Sequence, residues 1–310
     1  MSISVPFADQ NIDIRSALKW GMAQLRNAAV PSHTLAAEVL LMHALGRDRA
    51  WMYSHHEEPV DDAALQKYSM LIARRAAGEP TQYLTGHQEF WGLDFEVTPA
   101  VLIPRPETEH VMEVALARLG ERGLKIHMDT GRPREALQVA DIGTGSGCLA
   151  VALAYEMPHA EVLATDISAV ALEIARKNAI RNHVAERIRF VEADLFPSSS
   201  EPRTPSFDLI VSNPPYIADS DAATLQREVR DHEPHSALFA GPTGTEVYER
   251  LVSQAAGQLR DRGVVVLELG HDSAVRVREL FDASYSSWTN LAITRDLAGI
   301  PRVITATRVR

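Results

Sequence analysis

The residues with the clearest chemical meaning lie in the segment FDLIVSNPPYI at 207–217. A run typical of a buried strand ends at the side-chain amide of Asn213, which is followed by Pro214, Pro215 and Tyr216. Proline fixes φ and lacks a backbone N–H, and the residue before a proline prefers extended backbone. The polar groups left at this corner are therefore acceptors, namely the Asn213 side-chain oxygen and the carbonyls of Asn213 and Pro214.

A rigid corner of acceptors suits a substrate that carries an NH2 group. Two acceptors hold both hydrogens and aim the nitrogen, while Tyr216 stacks on the planar group. Amide and aryl amino nitrogens are poor nucleophiles because their lone pair is delocalised. Positioning is therefore the expected source of rate, and in the best oriented reactions it supplies roughly 7–11 kcal/mol. We interpret Asn213, Pro214 and Tyr216 as a catalytic corner rather than a turn that only ends a strand.

A second cluster is the glycine-rich turn in ADIGTGSGCLAVALA, between a strand and a helix. Its residues are Gly143, Thr144, Gly145, Ser146 and Gly147. Glycine permits positive φ and a close approach of a ligand to the backbone. A dinucleotide fingerprint starting at Gly143 needs Gly or Ala at position 148, where Cys148 stands, and no Gly-Lys-Ser/Thr follows as in a phosphate-binding loop. The turn therefore favours a ligand that is not held by its phosphates.

Two acids follow at the ends of the next strands. Asp166 ends the segment EVLATD, at a distance from the glycines where a carboxylate binds both hydroxyls of a ribose. It could also cap the following helix. Asp194 ends RFVEAD and could accept from an adenine amino group, with Leu195 against the ring, or could be a cap or loop residue. Together these groups describe a site for adenosine without a phosphate, and S-adenosylmethionine is such a ligand.

These residues require a parallel sheet to bring them together. From Leu137 onward strands and helices alternate, with strands predicted at 137–142, 161–165, 188–192, 207–212 and 263–268. The segment 288–308 predicts a terminal hairpin that adds an antiparallel strand. The expected fold is α/β, a doubly wound, mostly parallel seven-stranded sheet that forms a catalytic domain over 111–310.

The first part of the chain, 1–85, predicts a small helical bundle. Apolar residues recur at helical spacing, and they are Ile14, Leu18, Met22 and Leu25 in a first helix and Leu35, Val39 and Met42 on one face of a second. Ser32 is a candidate N-cap of the second helix and Gly46 its end, and a third helix begins near Asp61. These faces serve packing or partner recognition, and we predict a substrate-recognition domain here.

Residues 86–110 read as a joint between the two domains. Phe90, Leu93 and Phe95 indicate a hairpin around Gly92, and 101–103 indicates another short strand. The stiff Pro104-Arg105-Pro106 leads into a helix with Glu107 and Glu109 in its first turn.

Composition excludes several function classes. The 310 residues are 45% hydrophobic and 23% charged, with a net charge of −10 that argues against an extended nucleic-acid interface. We expect no membrane helix, since no long apolar run occurs, and no secretory signal at the N-terminus. Cys148 stands alone, which excludes an internal disulfide and favours a cytoplasmic protein.

Other candidate sites carry no chemistry in this interpretation. The histidines at 55–56 and at 232 and 235 lack a second ligand cluster, so we predict no metal site. Cys148 has no base partner and reads as a packing residue. The segments 120–136 and 198–206 read as surface loops.

The sequence resembles a known family over nearly its whole length. VADIGTGSG, ATDIS and FDLIVSNPPYI resemble the amino-methylating branch of class I S-adenosylmethionine-dependent methyltransferases. More narrowly, 74–109, 228–241 and 295–303 resemble the HemK/PrmC glutamine N5-methyltransferases. The resemblance implies a substrate, the glutamine of the Gly-Gly-Gln motif in class 1 peptide chain release factors, and an N-terminal bundle that contacts the release factor.

The same resemblance implies roles for individual residues. It implies cofactor binding by Gly143 to Gly147, Asp166, Asp194, Leu195 and Asn213, and binding of the glutamine amide by Asn213, Pro214, Pro215 and Tyr216. Arg105 and Glu107 would lie near the mouth of the site, with Arg105 on the substrate, or would form an interdomain salt bridge. Glu268, at the end of the fifth strand, would support the site rather than react.

Three rival functions share parts of this pattern. A sister enzyme methylates a glutamine of a large-subunit ribosomal protein and uses the same corner, so that only the N-terminal region and the joint discriminate. Adenine-N6 methylation of nucleic acid uses the corner on an extruded base and calls for a basic face, which the net charge disfavours. A non-enzymatic adaptor that only binds the cofactor would not need the intact corner at 213–216.

Overall fold

The computed structural model describes residues 12–121, 136–197, 207–284 and 286–309. The loops predicted at 120–136 and 198–206 fall almost wholly outside these ranges. The chain divides into two compact units, which are Met1–His87 with Gln226–His232, and Gln88–Leu225 with Glu233–Arg310. The functional division into 1–85, 86–110 and 111–310 stays a prediction.

Short polar caps and apolar faces build the helical unit. Its helices are α1 (Ile14–Asn27), α2 (His33–Leu45), α3 (Arg49–Ser54), α4 (Asp62–Ala76) and α5 (Thr81–Thr85). Asp13, Asp48 and Asp61 cap α1, α3 and α4 by accepting hydrogen bonds from backbone N–H groups in the first turn. The core is contiguous, and its largest fully buried side chains are Tyr68, Ile14, Leu25, Leu40, Leu41, Met52 and Ile72.

The predicted face of α2 is wrong. Leu35 is 55% exposed and Val39 and Met42 are only half-buried, whereas Leu40 and Leu41 are fully buried. The helix is apolar on nearly all sides, so the spacing of its apolar residues does not select one face, and packing against α1 and α4 does. Ser32 holds the N-cap position, yet its side chain makes no capping hydrogen bond.

The second unit contains the elements of the predicted sheet. The strands of the described residues are β1 (His87–Phe90), β2 (Leu93–Glu96), β3 (Leu137–Ile142), β4 (Ala160–Asp166), β5 (Ile188–Glu192), β6 (Phe207–Ser212), β7 (Ile217–Ala218), β8 (Phe239–Gly241), β9 (Leu259–Glu268), β10 (Trp288–Arg295) and β11 (Pro301–Arg308). The helices that follow α5 are α6 (Glu109–Glu121), α7 (Cys148–Glu156), α8 (Ala169–Arg181), α9 (Arg227–His232), α10 (His235–Leu238), α11 (Glu246–Gln258) and α12 (Ala274–Ala283). Short 3-10 helices span Pro106–Thr108, Ala185–Arg187 and Asp219–Thr224.

The main sheet has seven strands in the order β10-β11-β9-β6-β3-β4-β5. The five strands from β9 to β5 are parallel, and β11 pairs antiparallel with both β9 and β10. Alternate strand residues supply two cores, one against α6, α7 and α8 and the other against α11 and α12. The predicted doubly wound, mostly parallel seven-stranded fold is confirmed.

The segment 101–103 was predicted as a strand, and this is wrong. It follows a turn in which the Val101 N–H donates to the Thr98 carbonyl at 3.0 Å, and it continues as irregular backbone. Val101 and Ile103 are buried, so their apolar character reflects packing. The hairpin predicted around Gly92 is present as β1 and β2.

The helical unit contains one piece of chain from far along the sequence. Helix α9 lies within 226–232, which belongs to this unit although the residues on either side belong to the other. The buried side chain of Arg75 forms an ion pair with Glu228 at 2.5 Å and donates to the Glu79 carbonyl at 3.0 Å. A buried guanidinium needs such partners, so Arg75 binds α9 to the bundle.

Within the described ranges, no helix combines the length and the apolar character needed to cross a bilayer.

Packing at Gly21 gives a stability test. A Cβ at this buried glycine in α1 would overlap the Tyr68 hydroxyl, so Gly21→Ala should lower the free energy of unfolding by about 1–3 kcal/mol. Thermal unfolding followed by circular dichroism measures the change.

Gly120→Ala is the matched control, since Gly120 is also helical but faces open space and should be neutral or stabilising. Adding Tyr68→Phe to Gly21→Ala should restore part of the loss, because it removes the overlapping oxygen. Equal melting temperatures for the two glycine variants would contradict this packing.

Candidate active site

A cavity of about 280 Å³ opens at the carboxyl ends of β3, β4 and β6. Ten of the predicted site residues line it, and they are Gly143, Thr144, Gly145, Ser146, Asp166, Asp194, Leu195, Asn213, Pro214 and Pro215. Three others, Gly147, Tyr216 and Arg105, lie outside its lining. The structure therefore brings the glycine turn, both acids and the Asn-Pro-Pro corner into one concave site.

The glycines of the turn divide into two kinds. Gly143 and Gly145 have positive φ, 73° and 54°, and a Cβ on either would point into open space. Gly147 also has positive φ, 83°, but its Cβ would lie 3.0 Å from the Ala175 Cβ of α8. The first two leave backbone open to a ligand, whereas Gly147 allows α7 and α8 to pack closely.

The Asp141 carboxylate stabilises the glycine turn through two hydrogen bonds. Its Oδ2 accepts from the Thr144 hydroxyl at 2.6 Å and from the Ala150 N–H at 3.1 Å. Its Oδ1 is buried without a hydrogen-bond partner in the described part of the chain, and the residue lines the cavity. Burial raises the pKa of this carboxyl to about 7. A ligand that donates a hydrogen bond or carries positive charge would satisfy the free oxygen.

Asp166 bridges the glycine turn and the start of α8. Its Oδ2 accepts from the Gly145 N–H and its Oδ1 from the Ser168 N–H, both at 2.9 Å. Ser168 is the N-cap of α8 and accepts from the Ala171 N–H, so the interpretation of Asp166 as a cap is wrong. Burial raises the pKa of Asp166, against the hydrogen bonds that lower it. Its ribose role stays a prediction.

Asp194 and Leu195 differ in their exposure to solvent and in their contacts. The Asp194 side chain is 63% exposed and forms an ion pair with Arg250 at 2.5 Å. Leu195 is buried with φ of 68°, and its carbonyl accepts from the Thr165 hydroxyl at 2.7 Å. Arg250, which also lines the cavity, was not predicted from the sequence.

The Asn-Pro-Pro corner follows β6 directly. The Ser212 hydroxyl donates to the Ile142 carbonyl at 2.6 Å, which ties the end of β6 to the end of β3. The Asn213 Nδ2 donates to the Thr108 hydroxyl at 3.1 Å. Pro214 is buried. Thr108, also in the cavity lining, is a site residue that sequence reasoning missed.

Tyr216 packs behind the corner rather than in the cavity lining. A Cβ on Gly270 would lie 2.7 Å from the Tyr216 Cδ2, so the ring rests on this glycine. Burial and the nearby Glu268 raise the pKa of the phenol to about 12, which keeps it neutral. The stacking role predicted for Tyr216 stays a prediction.

Arg105 and Glu107 form separate ion pairs. Arg105 pairs with the buried Glu233, whose other oxygen accepts from the Ile103 N–H at 3.3 Å. Glu107 lies 3.7 Å from Arg302. All these residues belong to the second unit, so neither of these ion pairs joins the two units.

Asn178 is a second residue that sequence reasoning missed. This buried amide of α8 donates to the Ser146 carbonyl at 2.8 Å and to the Glu96 carbonyl at 3.0 Å, and it accepts from the Glu96 N–H at 2.7 Å. It fixes the glycine turn to β2. Nothing in the spacing of the helix marks it, since its partners lie far away in sequence.

Cys148 is not a nucleophile at neutral pH, and the histidines form no metal cluster with other described residues. Burial and the nearby Asp141 raise the pKa of the Cys148 thiol to about 12, so it is not a thiolate at neutral pH. Among the described residues, no group of three or more His, Cys, Asp or Glu side chains is placed to hold a metal ion.

The residues present fit S-adenosylmethionine. Open glycine backbone, the unsatisfied Asp141 oxygen and the carboxylate of Asp166 line one cavity. Acidic groups there complement a ligand with a positively charged sulfonium and ammonium group. Gly143 to Ser146, Asp166, Asp194 and Leu195 would hold it.

Comparisons with known proteins find similar sequences over nearly the whole chain. A family model described as the PrmC N-terminal domain matches residues 16–86, and one described as a methyltransferase small domain matches residues 121–232. A release factor glutamine methyltransferase of Koribacter versatilis is 43% identical over 94% of this chain and 97% of the relative. One of Nitratidesulfovibrio vulgaris is 39% identical over 98% of each.

A solved structure supports the fold alone. The hMettl16 catalytic domain in complex with an RNA hairpin is 19% identical, covers 76% of this chain and 81% of that one, and has a TM-score of 0.52.

The environment of Asp166 generates a binding test. Asp166→Ala should raise the dissociation constant of S-adenosylmethionine by at least about tenfold, the factor that about 1.4 kcal/mol represents. The variant removes a carboxylate from the cavity and the partner of the Gly145 N–H. Isothermal titration calorimetry measures the constant.

Glu192→Ala is the matched control, because Glu192 pairs with Asp166 across the sheet but is exposed and outside the cavity lining. It should bind as the wild type does. Unchanged affinity in Asp166→Ala would refute the ribose assignment.

Proposed function

The chain belongs to the release factor glutamine methyltransferase family, and from this premise we propose that it methylates the Gly-Gly-Gln glutamine of class 1 peptide chain release factors on the side-chain nitrogen N5. S-adenosylmethionine is the methyl donor. The observation that carries the proposal is that Asn213 and Pro214 line the same cavity as the glycine turn. A substrate amide at Asn213 is thereby adjacent to the group that supplies the methyl.

S-adenosylmethionine, when bound, supplies a methyl group on a positively charged sulfur. The chain's own residues then have two tasks, to hold the adenosine part and to present the nitrogen. Asp166 and Asp194 belong to the first task and Asn213 and Pro214 to the second. The Tyr216 ring, which packs behind the corner, is assigned to stacking on the planar amide.

The corner acts by accepting hydrogen bonds. The Asn213 Oδ1 and the Pro214 carbonyl accept the two hydrogens of the glutamine amide, which directs its nitrogen into the cavity. Bound S-adenosylmethionine would supply its methyl group to this nitrogen, and the nitrogen would then release a proton to solvent. No strong base is needed, because the nitrogen becomes acidic once it is methylated. The rate arises from orientation and from dipoles fixed in advance.

The remaining parts of the chain contribute recognition. We assign release-factor binding to the helical unit and a supporting role to Arg105, which is held by Glu233. The net charge of −10 disfavours an extended nucleic-acid interface. A protein that acts on release factors works in the cytoplasm.

The first test is methyl transfer from labelled S-adenosylmethionine to a purified release factor. Label should enter the wild-type factor and be absent from a copy whose Gly-Gly-Gln glutamine is changed to alanine, because only a side-chain amide fits the acceptors. Scintillation counting and mass spectrometry of the labelled peptide locate the methyl group.

The large-subunit ribosomal protein and DNA are run in parallel. Label in either of them, with none in the release factor, would keep the chemistry of the corner and overturn the choice of substrate.

The division of tasks gives a second test. Asn213→Ala should lower kcat by about 100-fold or more, the scale seen when one preorganised hydrogen-bonding group is removed from an active site. Its affinity for S-adenosylmethionine should stay near that of the wild type. Single-turnover transfer and calorimetry measure the two quantities.

Asp166→Ala is the matched comparison. This variant should bind S-adenosylmethionine weakly, whereas Asn213→Ala should bind it as the wild type does. A folded Asn213→Ala protein that loses transfer and cofactor binding together would contradict the division.

A further inference from the structure

The orientation of the Asn213 amide decides whether the corner works. A side-chain amide has an oxygen that accepts and a nitrogen that donates, on two sides of nearly equal shape. A substrate NH2 group needs the oxygen. If the amide turned by half a rotation, its NH2 group would face the substrate NH2 group, and both would be donors.

One contact sets this orientation in the structure. The Asn213 Nδ2 donates to the Thr108 Oγ1 at 3.1 Å, and Thr108 is the one protein partner of this side chain in the described part of the chain. Thr108 is only 1% exposed. The opposite atom, Oδ1, is therefore the one left for the cavity.

A hydroxyl alone does not discriminate, because it donates as well as accepts. The Thr108 hydroxyl has one hydrogen, and the Glu268 carboxylate is the acceptor for it, because burial raises the pKa of Glu268 while a hydrogen bond from Thr108 opposes that rise. A carboxylate accepts only, so it commits the Thr108 hydrogen and leaves the Thr108 oxygen as an acceptor for Asn213. The result is a directed chain from Asn213 through Thr108 to Glu268.

Glu268 is placed for this task and not for contact with a substrate. It is 3% exposed, lies at the carboxyl end of β9 and is outside the cavity lining, whereas Thr108 lies in that lining. Its Oε2 has no hydrogen-bond partner among the described residues. A buried carboxylate with a free oxygen is costly for stability, which points to a functional reason for its presence.

We propose that Thr108 and Glu268 are positioning residues that keep the Asn213 amide oxygen turned toward the substrate amide. The proposal rests on the proposed function, because it assigns the residues behind the same corner. Neither residue touches the reacting atoms, and both act through Asn213.

Protonation of Glu268 should release this constraint. A protonated carboxyl donates to Thr108, so the Thr108 hydrogen becomes free to bond the Asn213 oxygen in the turned orientation. Burial raises the pKa of Glu268 to about 7, above its ordinary value, so the charged form is lost as pH falls through that value. The rate of transfer should therefore fall on the acid side of neutrality.

Several other groups face Glu268, and they do not account for such a fall. The charged and titratable ones are Glu107, Arg105, Arg302, Tyr216, Tyr248 and Cys148. The pKa values of Tyr216 and Cys148 are raised to about 12, and that of Tyr248 is raised as well. Asp141 also has a pKa of about 7, but it lies at the glycine turn, and saturating cofactor separates its effect.

The experiment measures single-turnover methyl transfer to a release factor at saturating S-adenosylmethionine, from acid to alkaline pH. Four proteins are compared, namely the wild type, Thr108→Val, Thr108→Ser and Glu268→Gln. Thr108→Val keeps the shape but loses the hydroxyl, and it should reduce the rate about tenfold, as expected when a polar group loses its buried partner. Thr108→Ser keeps the hydroxyl and should retain most of the rate.

Glu268→Gln tests the directed chain. The Gln side-chain amide donates as well as accepts, so it does not fix the direction of the Thr108 hydrogen, and the rate at alkaline pH should be lower than that of the wild type. Because this amide does not titrate, the rate of the variant should not fall on acidification. Calorimetry should show unchanged affinity for S-adenosylmethionine in Glu268→Gln, because Glu268 lies outside the cavity lining. A residue that only stabilised the fold would not change the pH profile in this way.

Each outcome decides the proposal. A Thr108→Val rate equal to that of the wild type, or an acid fall in Glu268→Gln as in the wild type, would overturn it. If Thr108→Val does not fold, the pH profile of Glu268→Gln alone decides. If the wild type transfers no methyl group to the release factor, the proposed function fails instead.

Discussion

The glycine turn, the two acids and the Asn-Pro-Pro corner come together because β3, β4, β5 and β6 are parallel and in register. Parallel strands in register end side by side, so residues far apart in sequence reach one edge of the sheet. At that edge β6 is followed by Asn213 and two prolines, which donate no backbone hydrogen bond, whereas β3 is followed by glycines with open backbone. One neighbouring strand end therefore offers acceptors and the other offers room for a ligand. This contrast between adjacent ends is the basis of the chemistry.

Much of the fold and the first layer of the site could be predicted, because both are local in sequence. The strands from Leu137 onward show as apolar runs, and Gly143, Asp166 and Asn213 each directly follow or end a strand. Their position on a parallel sheet then determines where they meet. The faces of α2 could not be predicted, because a helix that is apolar all round contains no preferred side.

Three further residues at or near the site could not be predicted, for a different reason. Thr108, Asn178 and Arg250 act through partners that are distant in sequence, such as Thr108 with Asn213. Their residue types are ordinary for a helix or a turn, so neither composition nor spacing marks them. The same holds for α9, whose membership of the helical unit depends on the pairing of Glu228 with the buried Arg75.

That last feature has a consequence for how the chain can be divided. The helical unit is discontinuous, since it takes Gln226–His232 from the middle of the other unit. A fragment ending at His87 would leave the Arg75 guanidinium buried without its carboxylate partner, which is a costly state. The bundle is thus not a cassette that could be excised or grafted at one junction. Shuffling of N-terminal domains among related enzymes would have to transfer the α9 segment together with them, as a second and separate insertion.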